Sequence, residues 1–269
     1  MSEIYPFPPK QQRVIYEQNP LAEVICQIRF PKILRIATEE PAIFQEKIRD
    51  MYPLYDVGKP KIAEDLPANV SDMLARFERG SIESIYKFLT ADETRLISLA
   101  SEFVALTDKN YVRWESFYKQ FDLGKDALED IYKPAFYTRI GLRYKDVIDL
   151  NALGLANKNW DDLLNPRLIG LLGLPEISAQ PREIKSIAAL DLGLQDINDA
   201  RVTLRHGFSK TDDGEIYVID ADFFTTERSY PDGVSPILSR FNRIAGDLFR
   251  WAISDELHDV LGPKPVEGK

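Results

Sequence analysis

The first clear pattern in the chain is a strict alternation from Glu23 to Phe30. Val24, Cys26, Ile28 and Phe30 fall on one side, and Glu23, Ile25, Gln27 and Arg29 on the other. Period-two alternation predicts a half-buried strand, and Pro31 ends it. Thr38 or Glu39 then precedes a short predicted helix, with Pro41 in its first turn and Phe44, Ile48 and Met51 on one face. Residues 56–70 carry Gly58, Pro60 and Pro67 and read as a loop. Ser81–Leu89, Thr94–Ala100 and Glu102–Leu106 read as successive antiparallel strands, with a turn at Ala91-Asp92-Glu93. A helix is predicted from Tyr111 to Ile131, with Gly124 dividing it and Pro134 stopping it.

The second half runs in the same order. Tyr137–Leu150 reads as a strand, and Asn159 opens a helical segment with Trp160, Leu163, Leu164, Leu168 and Leu171, broken at Pro166 and ended by Gly173 and Pro175. Ile184–Leu194, Arg201–Phe208 and Glu215–Thr225 read as three strands, the last two joined at Lys210-Thr211-Asp212-Asp213-Gly214. Ser235-Pro236 supplies an N-cap and a first-turn proline for a final helix, whose apolar stripe includes Ile237, Phe241, Ile244, Leu248, Trp251 and Ile253. It is expected to end near Leu261-Gly262-Pro263.

The two halves also share a local pattern. Cys26-Gln27-Ile28-Arg29-Phe30 and Ile140-Gly141-Leu142-Arg143-Tyr144 match position by position in type. The expected fold is therefore α+β, with tandem β-α-β-β-β-α units at 19–133 and 134–262, forming antiparallel sheet backed by two long helices. Residues 1–18, rich in Pro and Gln, are expected to be an extended arm, and 263–269 a tail. The element order resembles saddle-shaped duplicated folds such as the TATA-binding protein, a likeness of architecture and not of function.

Composition narrows the function classes. The 269-residue chain has a formal net charge of -9 and a pI near 5.0, which argues against broad, sequence-independent nucleic-acid binding. No apolar run approaches the roughly 20 residues of a membrane helix. The N-terminal residues Met1 to Pro6 lack the pattern of a signal peptide. One cysteine, Cys26, excludes an internal disulfide, and a reducing cytoplasmic setting is expected. His206 and His258 are the two histidines, too few for a His-rich metal centre.

Four segments carry a family resemblance. Asn19-Pro20-Leu21-Ala22-Glu23-Val24-Ile25-Cys26-Gln27-Ile28-Arg29-Phe30 is similar to the opening motif of a sporadically distributed prokaryotic family of uncharacterised proteins of about this length. Tyr111-Val112-Arg113-Trp114-Glu115-Ser116-Phe117 and Arg139-Ile140-Gly141-Leu142-Arg143-Tyr144 resemble its middle motifs, and Leu257-His258 its end. The resemblance brings no activity and no catalytic residues. Its patchy distribution implies mobile or accessory genes, as in defence or toxin–antitoxin loci.

Candidate chemistry centres on the polar faces of the predicted strands. Arg29, Arg139, Arg143 and Arg205 would share a surface with Asp220 and Asp222 if their strands neighbour one another. Guanidinium groups suit phosphate or carboxylate, and Asp-x-Asp on a strand can hold a divalent cation. The plainer reading is a solvated sheet face with cross-strand Arg–Asp pairs. Asp255 and His258 could share a helix face, but a metal site needs further ligands. Tyr111, Trp114, Phe117, Tyr118 and Phe121 could stack bases, although aromatics at helical spacing usually form core. His206 lies on an apolar strand face and reads as a buried, hydrogen-bonded residue; Cys26 reads as inert. No phosphate loop, nucleophile elbow, zinc-protease or dinucleotide motif is present.

These features point to a non-enzymatic binding or accessory protein that recognises a protein partner, with no cofactor and no metal expected. A homo-oligomer stays open. The alternative is recognition of a ligand, phosphate or nucleotide on the Arg/Asp face, with metal-assisted phosphoester chemistry as its furthest extension.

Overall fold

The two echoing segments lie side by side at the middle of one sheet. Gln27 faces Gly141, Cys26 faces Leu142 and Ile28 faces Ile140. Each segment therefore meets the other through the same positions, read in opposite directions.

The structure is a computed structural model that describes residues 7, 12–58, 84–170, 186–195, 197–211 and 214–266. Its elements are β1 (Val14–Tyr16), β2 (Leu21–Arg29), α1 (Leu34–Thr38), α2 (Ala42–Ile48), β3 (Leu54–Gly58), β4 (Ile85–Leu89), β5 (Arg95–Ala100) and β6 (Phe103–Asp108). There follow α3 (Trp114–Tyr132), β7 (Arg139–Asp149), α4 (Trp160–Leu163), α5 (Pro166–Ile169), β8 (Ser186–Gly193), β9 (Ala200–Thr211) and β10 (Gly214–Thr225). The chain closes with α6 (Pro231–Ala252), α7 (Asp255–Val260) and β11 (Pro263–Pro265). Among the described residues nine strands form one sheet in the order β3-β4-β5-β6-β2-β7-β10-β9-β8. All its pairings are antiparallel. The fold is α+β.

Helices cover one sheet face. α3 packs on β6, and α6 packs on β7 and β10. The core between them holds Val24, Cys26 and Ile28, Val104 and Leu106, Ile140 and Leu142, and Ala221 and Phe223, all buried. Alternation along each strand sends these side chains to the helices and their neighbours to the opposite face. Gly124 does not divide α3. A Cβ there would meet Ile97 at 3.2 Å, so the glycine lets an unbroken helix approach β5 closely.

Several expected boundaries shift. Tyr111 precedes its helix, which opens at Trp114. The helix expected after Thr38 is α2, with Pro41 at its N-cap instead of inside its first turn, and an unexpected short helix, α1, precedes it. The expected loop begins as a strand, β3, because Leu54–Gly58 pairs with β4 as an outer strand of the sheet. The final helix starts five residues early, with Pro231 and not Pro236 at its first position. Proline at N1 has no amide hydrogen to satisfy, so either proline could have opened the helix. That helix ends at Ala252, and Ile253 turns extended to pair with Leu164. The residues expected at 81–83, 171–185, 196 and 212–213 lie outside the described ones.

Ser254 then caps α7, its side chain accepting a hydrogen bond from the Leu257 amide at 3.1 Å. Ser254→Ala should lower the unfolding free energy by about 1 kcal/mol in chemical denaturation. A change near zero would show that the break between α6 and α7 is held by Ile253 alone.

Arm and tail join each other. β1 and β11 form a two-stranded ribbon, extended by bonds from Glu17 N to Gly262 O and from Val266 N to Arg13 O, each 3.0 Å. Gly262 has φ +68°, and a Cβ there would approach Glu17 Oε2 to 2.9 Å. Phe7 is buried against Trp251, ring centroids 5.3 Å apart.

Candidate functional site

The sheet face away from the helices carries the predicted Arg/Asp group. β7 and β10 are neighbours, as are β10 and β9, so Arg139, Arg143, Asp220, Asp222 and Arg205 come together. Arg29 stands on the same face of β2, opposite Arg139. Arg143 grips Asp220 through Nε and Nη2, both 2.7 Å from its oxygens. Arg139 holds Asp222 through Nη2 at 3.0 and 2.9 Å and donates to Gln27 at 3.3 Å. It reaches Asp222 across Gly141, where any Cβ would collide with the guanidinium. Arg205 lies 3.9 Å from Asp220.

Electrostatically this face is largely closed on itself. Burial opposes the Arg143 charge, but the Asp220 hydrogen bonds and charge outweigh it and raise its pKa. Both carboxylates of the Asp-x-Asp pair are already occupied by guanidinium groups. Among the described residues no three or more His, Cys, Asp or Glu side chains converge as a metal site requires.

The remaining predicted candidates separate. Asp255 pairs with Arg250, whereas His258 Nδ1 lies 2.8 Å from the Tyr16 hydroxyl. Trp114, Phe117 and Phe121 are core. His206 is buried, its Nδ1 2.7 Å from Tyr217 Oη, and burial lowers its pKa. Burial pushes the Cys26 thiol well up.

Among the described residues β3 and β8 are the sheet's two outer strands, and β3 presents another surface. On β3, Leu54, Tyr55 and Val57 are between 40 % and 48 % exposed, and Met51 beside them is 49 % exposed. β3 has no second partner strand among the described residues. Glu40 and Asp56 stand close enough to raise the Tyr55 pKa, after burial as the first cause.

On the helix side lies a cavity of about 680 Å³ between β1, β7, the start of α3, α6 and α7. This is within the size range of small-molecule sites. Asp146 on β7, only 6 % exposed, lines it, and its carboxylate has no hydrogen bond or ion pair among the described residues. Burial, with the nearby Asp220 charge, pushes the Asp146 carboxyl up to about 8. Beside it, Tyr144 donates to Asn242 at 2.8 Å. Burial raises Tyr16 and Tyr111 to about 12. Arg13 and Arg113 are tied to Glu115, and Arg250 to Asp255 and the Ile253 carbonyl. The register of β2 shifts between Leu21 and Glu23, directly opposite Asp146 and Lys145. Such bulges recur beside functional sites.

Asp146 was not among the residues singled out from the sequence. Its signal was there in the alternation: Ile140, Leu142, Tyr144 and Ile148 share the apolar face, and Asp146 interrupts them in register. A carboxylate on a core-facing position is the exception that burial rules make informative.

No family model and no curated protein matches the chain. Among the described residues no helix is long and apolar enough to cross a membrane.

Proposed function

We propose that the protein is a non-enzymatic binding protein that recognises a protein partner by adding a partner strand to β3. The observation that carries this reading is the exposed apolar outer strand, with Leu54, Tyr55 and Val57 open to solvent and an unpaired edge among the described residues. Soluble proteins normally blunt such edges with charge, proline or a covering element. Strand addition supplies backbone hydrogen bonds, and alternate side chains supply selectivity. Asp56 on the strand and Glu40 near Tyr55 favour a partner segment that is apolar with basic neighbours. The accessory-gene context implied by the motif resemblance accords with a component of a bacterial multi-component system. The internal pairing of Arg139 with Asp222 and Arg143 with Asp220 supports a structural role for the Arg/Asp face, ahead of phosphate or metal recognition.

Val57→Lys tests the proposal, because an exposed edge position tolerates lysine with little change in stability. Wild-type, Val57→Lys and Arg205→Ala proteins would be used to capture partners from the native host, with quantitative mass spectrometry. A stoichiometric protein held by wild type and Arg205→Ala but lost by at least tenfold with Val57→Lys is the expected result. A partner retained by Val57→Lys and lost by Arg205→Ala would overturn it in favour of the Arg/Asp face. Concentration-dependent self-association lost with Val57→Lys would replace the foreign partner with a second copy.

A further inference from the structure

We infer that the cavity above Asp146 is a binding site for a small zwitterion of the amino-acid type, with its ammonium group seated against Asp146 and its anionic group held by Arg243. This site is separate from the β3 edge and does not depend on it.

The polar groups around the cavity are mostly satisfied by one another. Tyr16 is paired with His258, Tyr144 with Asn242, and Asn19 donates to the Tyr111 carbonyl at 2.9 Å. The two charged groups left open among the described residues are Asp146 on β7 and Arg243 on α6, which is exposed at the rim. A buried carboxyl with no partner is costly to ionise, so an empty site keeps its proton near neutral pH. An arriving ammonium supplies the missing countercharge. Tyr16, Tyr144 and Phe249 line the cavity, and an aromatic ring face attracts a cation. Arg243 makes a purely cationic ligand unfavourable and gives a carboxylate or phosphate its partner.

The wall is formed for access. Ser239, Asn242, Arg243, Gly246 and Arg250 recur at three- and four-residue spacing, so one face of α6 looks into the cavity. At Gly246 a Cβ would meet nothing within 4 Å. The glycine leaves open space that a side chain could fill.

Binding an ammonium to ionised Asp146 releases the carboxyl proton to solvent: Asp146–COOH and the free ammonium become a carboxylate–ammonium pair and one solvated proton. The other charged or titratable groups lining the cavity are Arg13 and Tyr16 at β1, Tyr111 and Arg113 before α3, Tyr144 on β7, Arg243, Asp247 and Arg250 on α6, and His258 on α7, while Asp220 acts on Asp146 through the sheet. Asp146→Asn removes the carboxyl proton without changing side-chain shape.

The test is a thermal-shift screen of the full-length protein against each proteinogenic amino acid and phosphoethanolamine at millimolar concentration, then calorimetric titration at neutral pH in two buffers of different ionisation enthalpy. The expected result is saturable binding of at least one of these probes, one per chain, with proton release. Asp146→Asn should weaken it on the order of a hundredfold and abolish proton release. Arg243→Ala should weaken the same probe, and Gly246→Phe should block it while leaving the unliganded melting temperature at or above wild type. No binding by any probe would overturn the inference. So would binding unchanged in Asp146→Asn, or equal binding by n-butylamine, which lacks the anionic group.

Discussion

Phe241→Ala is expected to lower the unfolding free energy by about 3–5 kcal/mol. Phe241 is fully buried on α6 and stacks against Phe223 of β10, their ring centroids 6.1 Å apart. Removing either ring leaves a cavity between helix and sheet that rigid neighbours fill only in part. The measurement is equilibrium urea denaturation, read as a lower midpoint with an unchanged slope. Phe223→Ala should lose a similar amount, and the double variant less than the sum, because the two rings share one contact. A loss below about 1 kcal/mol for Phe241→Ala would contradict the packing of α6 on β10.

Stability is expected to fall by a few kcal/mol as pH rises, and Asp146→Asn is expected to remove that fall. The sign follows from the direction of the shift. Asp146 has an ordinary carboxyl value of 3.8 when exposed and about 8 when folded. Between those limits the folded chain binds a proton that the unfolded chain has released, so unfolding becomes easier with each step up in pH. The contribution is fully present below the lower value and lost by the time pH passes the higher one. His206 acts in the opposite direction, since burial lowers its pKa and the folded state prefers the neutral ring. The His206 contribution is common to both proteins. The difference between wild type and Asp146→Asn, measured by urea denaturation from about pH 5 to about pH 9, therefore isolates Asp146. Parallel curves would mean that the carboxyl has water or a partner enough to ionise normally. The same variant in the ligand screen reads a separate property, since stability is measured without any probe.

Short-range pattern carried much of the architecture. The alternation at Val24, Cys26 and Ile28, and at Ile140, Leu142 and Tyr144, marks the buried face of the two central strands, because one face of each must leave water. The Asp-Gly signal marked the hairpin whose flanking residues Thr211 and Gly214 pair directly. The aromatic spacing of Trp114, Phe117 and Phe121 marked the covering helix. Where the reading failed, packing overrode the local signal. Ser235-Pro236 offers the stronger local start, yet the helix opens at Pro231 behind Tyr230, which makes no side-chain cap. The stripe of α6 continues through Ile253, yet that residue leaves the helix to bridge Leu164, a partner almost ninety positions away in the chain.

The chemistry divides along the same line. The sequence by itself determined that Arg139, Arg143, Asp220 and Asp222 face away from the core, since that follows from alternation within each strand. It also determined that Asp146 falls in register with apolar neighbours. Only the tertiary structure decided that Arg139 crosses Gly141 to Asp222 and that Arg143 takes Asp220, because diagonal pairing depends on strand order and register. Only the tertiary structure left β3 at an outer edge of the sheet among the described residues. And only there does Asp146 come to line a cavity, for its walls come from β1, α3, α6 and α7, whose approach is set by packing over the whole chain and by no local preference.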